Sequence, residues 1–312
     1  MRLLFTNAGR RTYLVEFALA LPGVELFVAD CTPFAAALHV APAATPVLLP
    51  PVSADPAAYL EALVAAVAAH RIELLFPLSD LDPGLLAGAR ERLAALGCRA
   101  VVSSPEVVAD CMDKSRSFAF CQRNGLPTPP VTLDPAAYPG PFPAIRKHIL
   151  GSGSSGLRRV EGPADLADFE IGRDMLQPLI AGTEYGIDIL NDFEGRFVTA
   201  VVKRKLAMRS GETDRAQVVT HPGLSALAQR ISAAFRHVGN LDCDVLEDAD
   251  GGFHCIDFNP RFGGGYPATH LAGYDYLAAL VALAGDHSPR FPAAPRPITV
   301  MKGISLHWCE TP

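Results

Sequence analysis

The sequence predicts an α/β protein whose amino-terminal third is a doubly wound parallel sheet and whose remainder is richer in strands. Through the first hundred residues, short apolar runs alternate with segments whose apolar residues recur at helical spacing, the sequence form of a parallel sheet covered by helices. Beyond a proline-rich connector that closes at Pro143, helical spacing thins and strand-like alternation takes over. A chain of 312 residues is longer than one core usually holds, so two or three packed subdomains are expected.

In order, residues 3–6, 26–30, 46–49, 73–77 and 99–102 read as strands, with helices over 13–20, 56–69 and 83–95 between them. The turn after the first strand is Asn7-Ala8-Gly9-Arg10-Arg11, and Asp30 ends the second strand where a ribose ligand could sit. Only Gly9 is present of the glycine fingerprint that lets a pyrophosphate approach the backbone. A structural turn, or a substrate contact through Arg10 or Arg11, fits better than a nicotinamide cofactor. Ser104-Pro105-Glu106 has the form of a helix start, and Asn124-Gly125-Leu126-Pro127 that of a helix end.

Composition narrows the function classes. The formal net charge is -6 and the basic clusters are short, so the basic face required for nucleic acid is missing. The most apolar stretch, 59–69, is interrupted by Glu61 and closed by His70 and Arg71, too short to span a bilayer. Met1 to Thr6 leads straight into a strand pattern without signal-peptide features, so export is not expected. Seven cysteines at scattered spacings, with no Cys-x-x-Cys pair, fit reduced thiols in a cytoplasm. Cys243 and Cys255 read as core fillers.

Two constellations carry chemistry. Phe142 to Lys147 reads as a strand ending in a lysine, followed by the run Gly151, Ser152, Gly153, Ser154, Ser155, Gly156. Amides and hydroxyls of such a run wrap phosphate oxygens while the ammonium supplies a point charge, although the Gly-Lys-Ser/Thr ending of a P-loop is absent. Further on, 241–246 and 253–259 read as neighbouring strands joined by the turn Asp250-Gly251-Gly252. Alternation puts Asp242 with Asp244, and Asp257 with Asn259, on single faces of their strands. Oxygen donors at that density suit magnesium shared with nucleotide phosphates; a solvated hairpin face would show the same residues.

The run Asp257-Phe258-Asn259-Pro260-Arg261-Phe262-Gly263-Gly264-Gly265-Tyr266-Pro267 resembles the metal-binding end of ATP-grasp enzymes, in particular the carbamoyl-phosphate-synthase-like group. Thr6 to Arg11 resembles that group's first strand and turn, and Asp113-Lys114-Ser115 the start of its first ATP-grasp helix. Phe142 to Gly156 resembles its phosphate-covering lysine and loop, and Arg209-Ser210-Gly211-Glu212-Thr213 its Arg-x-Gly-Glu-Thr segment. The resemblance runs to about residue 285. It implies an ATP-grasp fold with three units: a Rossmann-like domain over 1–103, a central subdomain with the phosphate-covering loop over 104–175, and a carboxyl-terminal subdomain with the metal site over 176–312.

Carried over by position, the resemblance implies that Lys114 and Lys147 contact the ATP phosphates and that Gly151 to Gly156 closes over them. Gln177, Pro178, Leu179 and Ile180 would hold adenine through backbone groups, with Pro178 offering a carbonyl only and Ile180 the amide. Glu184 would bind the ribose. Asp244, Asp257 and Asn259 match the metal ligands, Asp257 standing where glutamate is more usual, for one or two Mg2+ ions or Mn2+ in their place. Arg261 would face the transferred phosphate or the substrate, a salt-bridged core arginine being its other reading. Lys203, Arg204 and Arg209 are candidates for the acceptor or phosphate side, with Lys147, Arg261 and Arg209 as the catalytic set.

The implied activity is a carboxylate-amine ligase: ATP converts a small-molecule carboxylate to an acyl phosphate that an amine then attacks. A kinase-like enzyme acting on a carboxylate or carbamate, and a non-catalytic nucleotide-binding protein, stay open as alternatives. No nucleic acid or membrane partner is expected, the location is cytoplasmic, and a homodimer follows from the family. His148 and His270, flanking the supposed site, read as structural residues.

Overall fold

The structure, a computed structural model, describes residues 1–40, 44–151 and 156–309. Five parallel strands build the first sheet: β1 (Arg2–Thr6), β2 (Glu25–Asp30), β3 (Thr45–Leu48), β4 (Leu74–Pro77) and β5 (Arg99–Ala100), in the order β3-β2-β1-β4-β5. That order reverses beside β1, so the carboxyl ends of β1 and β4 open a crevice. Helices α1 (Thr12–Leu19) and α2 (Pro56–His70) fall where helical spacing predicts them, α2 starting on Asp55, whose carboxylate accepts from Ala58 N. The helix predicted over 83–95 is instead two, α3 (Pro83–Gly88) and α4 (Arg90–Ala94), parted at Ala89. Ala89 has φ -98 and ψ 4, outside the helical well, directly after the weak helix former Gly88.

Ser104 caps α5 (Pro105–Met112), and Asp113 caps α6 (Lys114–Arg123), which ends where Leu126 N returns to Cys121 O. A three-stranded antiparallel sheet follows, β7 (Arg158–Val160), β6 (Ala144–His148) and β8 (Asp174–Pro178) in that order across it. The chain then enters a six-stranded sheet built from β9 (Gly182–Asn191), β10 (Phe197–Arg209), β11 (Glu212–Val219), β12 (Gly239–Asp248), β13 (Phe253–Asn259) and β14 (Thr299–Met301), ordered β13-β12-β9-β10-β11-β14. Helices α7 (Pro222–Phe235), α8 (Tyr266–Leu271) and α9 (Tyr276–Ala284) cover it.

Packing explains how the pieces are held. One face of the parallel sheet buries Leu4, Leu75 and Phe27 against Tyr59, Leu63 and Val67 of α2. Its other face shares one core with the six-stranded sheet: Leu3, Phe5 and Phe76 join Val201, Tyr266 and Tyr276. The first and last thirds of the chain are therefore welded by apolar burial. α7 covers the other face of the large sheet, and Cys243 and Cys255 sit in that core at 0% exposure as the expected fillers. The small sheet has only two thin clusters, Phe118, Ile149 and Met175 on one side and Ala144, Val160 and Leu176 on the other.

Candidate functional site

A cleft of about 650 Å³ lies where the three sheets meet, at the carboxyl ends of β1 and β4. Its floor is the β12–β13 pair, where Asp242 stands opposite Asn259 and Asp244 opposite Asp257, the one-face grouping that alternation predicts. One wall is the turn after β1. There Asp30 is not free for a ribose, because its carboxylate accepts from the backbone N–H of Gly9 and Cys31, each at 2.8 Å. These bonds make the turn a structural device, and its Arg10 and Arg11 also line the cleft.

Lys114 and Lys147 reach the cleft from different elements. Lys114 N donates to Ile149 O at 3.0 Å, which ties the start of α6 to the end of β6 and brings the two lysines together. Lys114 Nζ donates to Gly151 O at 2.7 Å and lies 3.6 Å from Asp257. Lys147 Nζ donates to Ile256 O at 3.1 Å and rests over the Phe118 ring. Burial pulls Lys147 down to about 8, Asp257 pulling the other way and Lys114 adding to the fall. Two ammoniums with few fixed anions are prepared for an incoming polyanion.

The acids are arranged differently. Burial, opposed by Lys205 and reinforced by neighbouring carboxylates, pushes Asp244 up to about 7. Its Oδ1 lies 2.6 Å from Lys205 Nζ but at an angle that forms no hydrogen bond. Asp257, Asn259 and Asp244 supply hard oxygen donors, and no group of three His, Cys, Asp or Glu side chains forms a closed metal cage among the described residues. This donor set fits magnesium, which binds through one or two carboxylates and completes its shell with water and phosphate.

Arg261 is 8% exposed and forms a two-pronged ion pair with Asp80, Nε to Oδ1 at 2.7 Å and Nη2 to Oδ2 at 2.8 Å. It also donates to Asn259 Oδ1 at 3.1 Å, so it both lines the cleft and is salt-bridged, combining the two readings of the sequence. Gly263 beside it has no room for a side chain, since a Cβ there would come within 2.2 Å of the Asp242 carboxylate. Arg11 donates to Phe262 O, fastening the amino-terminal turn to the same loop.

The other basic candidates separate. Lys203 is buried and bound to Asp188, itself held by Thr269, so it is a core ion pair beneath the cleft. Arg204 turns to the opposite face and bonds Gln217 at 2.9 Å. Arg209 stands outside the cleft lining, 61% exposed and 3.4 Å from Asp214, while Ser210 and Gly211 of the next turn do line it. Sequence reasoning missed Lys205, which reaches Glu184 at 2.7 Å and Asp244 at 2.6 Å. Its signal was the period of two: Lys203 and Lys205 share a face, and Arg204 does not.

Glu184 lines the cleft; Gln177, Pro178, Leu179 and Ile180 lie at the passage from β8 to β9 and are not part of its lining. Gln177 is 4% exposed, and its side-chain nitrogen has no hydrogen-bond partner among the described residues. Of the run expected to cover the phosphates, Gly151 lines the cleft, Gly156 packs against His148, and Ser152, Gly153, Ser154 and Ser155 lie outside the described residues. His148 lies at the lining, 3.6 Å from Asp174, and His270 stacks on Phe17 away from it.

This architecture has known counterparts. Residues 171–311 match the family described as ATP-grasp in the biosynthetic pathway with Ter operon, and residues 3–101 match the PylC-like N-terminal domain. The match therefore continues past residue 285, through β14. The chain has the ATP-grasp fold, and residues 171–311 carry the ATP-grasp family match. No curated protein matches it by sequence.

Among solved structures, the biotin carboxylase domain of Hydrogenobacter thermophilus 2-oxoglutarate carboxylase, a dimer with MgADP, ADP and bicarbonate, superposes with TM-score 0.73 at 17% identity, over 93% of this chain and 70% of that one. N5-carboxyaminoimidazole synthetase from Staphylococcus aureus gives 0.74 at 11%, over 96% and 81%. L-amino acid ligase from Bacillus licheniformis gives 0.67 at 17%, over 90% and 73%. At these identities the likeness is one of fold.

Proposed function

We propose that the protein is an ATP- and magnesium-dependent ligase that activates a small-molecule carboxylate as an acyl phosphate for attack by an amine. The observation that carries this is the meeting of Lys114 and Lys147 with Asp244, Asp257 and Asn259 around one cleft in an ATP-grasp fold. The nucleotide and metal complexes among structural relatives support it.

Asp244, Asp257 and Asn259 would hold magnesium, which supplies positive charge to the phosphate oxygens. Lys114 and Lys147 would add positive charge to the same phosphates, so that most of the catalysis is positioning and electrostatics. The carboxylate oxygen of the substrate bonds to the γ-phosphorus and ADP leaves. The amine nitrogen then bonds to the acyl carbon and phosphate leaves, carrying the oxygen that the acid supplied. Arg261 is proposed to hold its loop through Asp80 while turning one edge to the reacting phosphate, and Arg209 to meet the acceptor at the mouth.

Backbone groups of Pro178 and Ile180 are proposed to hold adenine, with Gln177 and Leu179 completing the segment and Glu184 holding the ribose. The run 151–156 is proposed as the cover that keeps water from the acyl phosphate. We take 1–103, 104–175 and 176–312 as the functional units. All seven cysteines are free thiols, and no described helix is long and apolar enough to cross a membrane. Both support a cytoplasmic setting, and the dimeric relative supports a homodimer.

The test is ADP and phosphate release from MgATP against pools of carboxylic acids with and without amines, with mass spectrometry of the products. Turnover needing both acid and amine, with a product lighter than their sum by one water, is the expected result. Turnover with acid alone would replace the ligase by a kinase-like reaction.

A further inference from the structure

We infer that Lys205 is a built-in counter-ion for the acids of the metal site: before nucleotide arrives its ammonium holds Asp244 and Glu184, and a divalent ion gains Asp244 only by displacing it. The inference rests on the metal role proposed for Asp244. It concerns what that role leaves unexplained, namely how clustered carboxylates are kept together in a partly dry cleft without metal.

The geometry is specific. Lys205 lies on β10, whereas Asp244 lies on β12, with β9 between them. To reach Asp244, the side chain crosses β9 at Gly186, which is paired with Lys203 on one side and Asp244 on the other. A Cβ at 186 would sit 3.5 Å from Lys205 Cε and 3.8 Å from Asp244 Oδ1, so a methyl fits and anything longer stands in the lysine's path. The sequence thus leaves a strand position bare where the ammonium passes.

The charges agree with the geometry. Lys203, two residues earlier on the same face, is neutralised by Asp188 and has no share in the cleft. Lys205, 6% exposed, serves two carboxylates on two different strands. Burial would lower its proton affinity, but Asp244 and Glu184 overcome this and raise it, so it remains an ammonium. A fixed cation within 4 Å shifts a carboxylate's affinity for another cation by about tenfold or more. Metal alone is therefore held weakly. Metal arriving with phosphates is favoured, because the released ammonium then faces new anions.

The experiment measures Mn2+ affinity by electron paramagnetic resonance, without nucleotide and with ATP, alongside the metal-free melting temperature. K205M should bind free Mn2+ about tenfold tighter than the natural chain, melt lower without metal, and recover more of its melting temperature on Mn2+ addition. K205Q is likewise neutral but keeps a polar side chain, and should show the same gain in free-metal affinity should K205M fold poorly. K205R keeps the charge and should leave that affinity unchanged. Equal or weaker free Mn2+ binding in both neutral variants would overturn the inference. Binding of Mn2+ with ATP in the natural chain, lost in D244N, checks the metal reading separately; its absence would remove that reading whatever Lys205 does.

Discussion

Lys147 and Asn259 occupy the places where a single side chain decides most. Among the described residues Lys147 has no carboxylate in hydrogen-bond contact and donates to the Ile256 carbonyl. Replacing it with alanine should weaken ATP binding about tenfold or more, the worth of one charge-assisted contact, as read by calorimetry. Asn259→Ala should abolish phosphate release while the circular dichroism spectrum stays that of the natural chain. Normal turnover in both variants would remove the site assignment. His237 makes a prediction about stability instead. It is fully buried, its Nδ1 accepting from Asn191 and its Nε2 donating to Ile189 O, and burial brings it down to about 4. Between about 4 and 6.5 the unfolded chain binds the extra proton, so stability rises with pH across that window and is lost as pH falls, on the order of 3 kcal/mol in all. A His237→Gln variant should flatten that part of the melting profile. An unchanged slope would show that another group carries it.

Asp244, Asp257 and Asn259 were legible in the sequence because alternation along two short strands fixes which side chains share a face, and the β12–β13 register confirms the grouping. Lys205 was not, because its partners Glu184 and Asp244 lie 21 and 39 residues away, and only the order β12-β9-β10 makes them neighbours. Arg261 shows another limit: its spacing marks it as a site residue, but the Asp80 that grips it comes from the loop after β4.

At the scale of elements, the parallel sheet was readable from local periodicity, since each βα pair is continuous in sequence. The split between α3 and α4 and the short strands β7 and β14 were not, as edge pairing leaves little local pattern. The small sheet matters most for motion. Clusters of three buried residues on each face give β6, β7 and β8 much less apolar burial than the large sheet has. Amides of β6 and β8 should exchange hydrogen about tenfold or more faster than those of β9 and β12, and MgATP should slow the small sheet selectively. Uniform protection across both sheets would contradict this reading of the small sheet as the less stable element.

At the scale of the whole molecule, the shared core of the first and last thirds fixes the crevice of the parallel sheet against the floor that carries Asp244, Asp257 and Asn259. The proposed reaction, between a substrate held by the first and a phosphate held by the second, relies on that weld. The most direct measurement is oxygen transfer: the donor acid, labelled with 18O in its carboxylate, is turned over with MgATP and the amine, and the released phosphate is weighed. An acyl phosphate requires one labelled oxygen in each phosphate and its loss from the coupled product. Unlabelled phosphate, with the label staying in the acid or leaving as water, would contradict activation of the carboxylate by ATP.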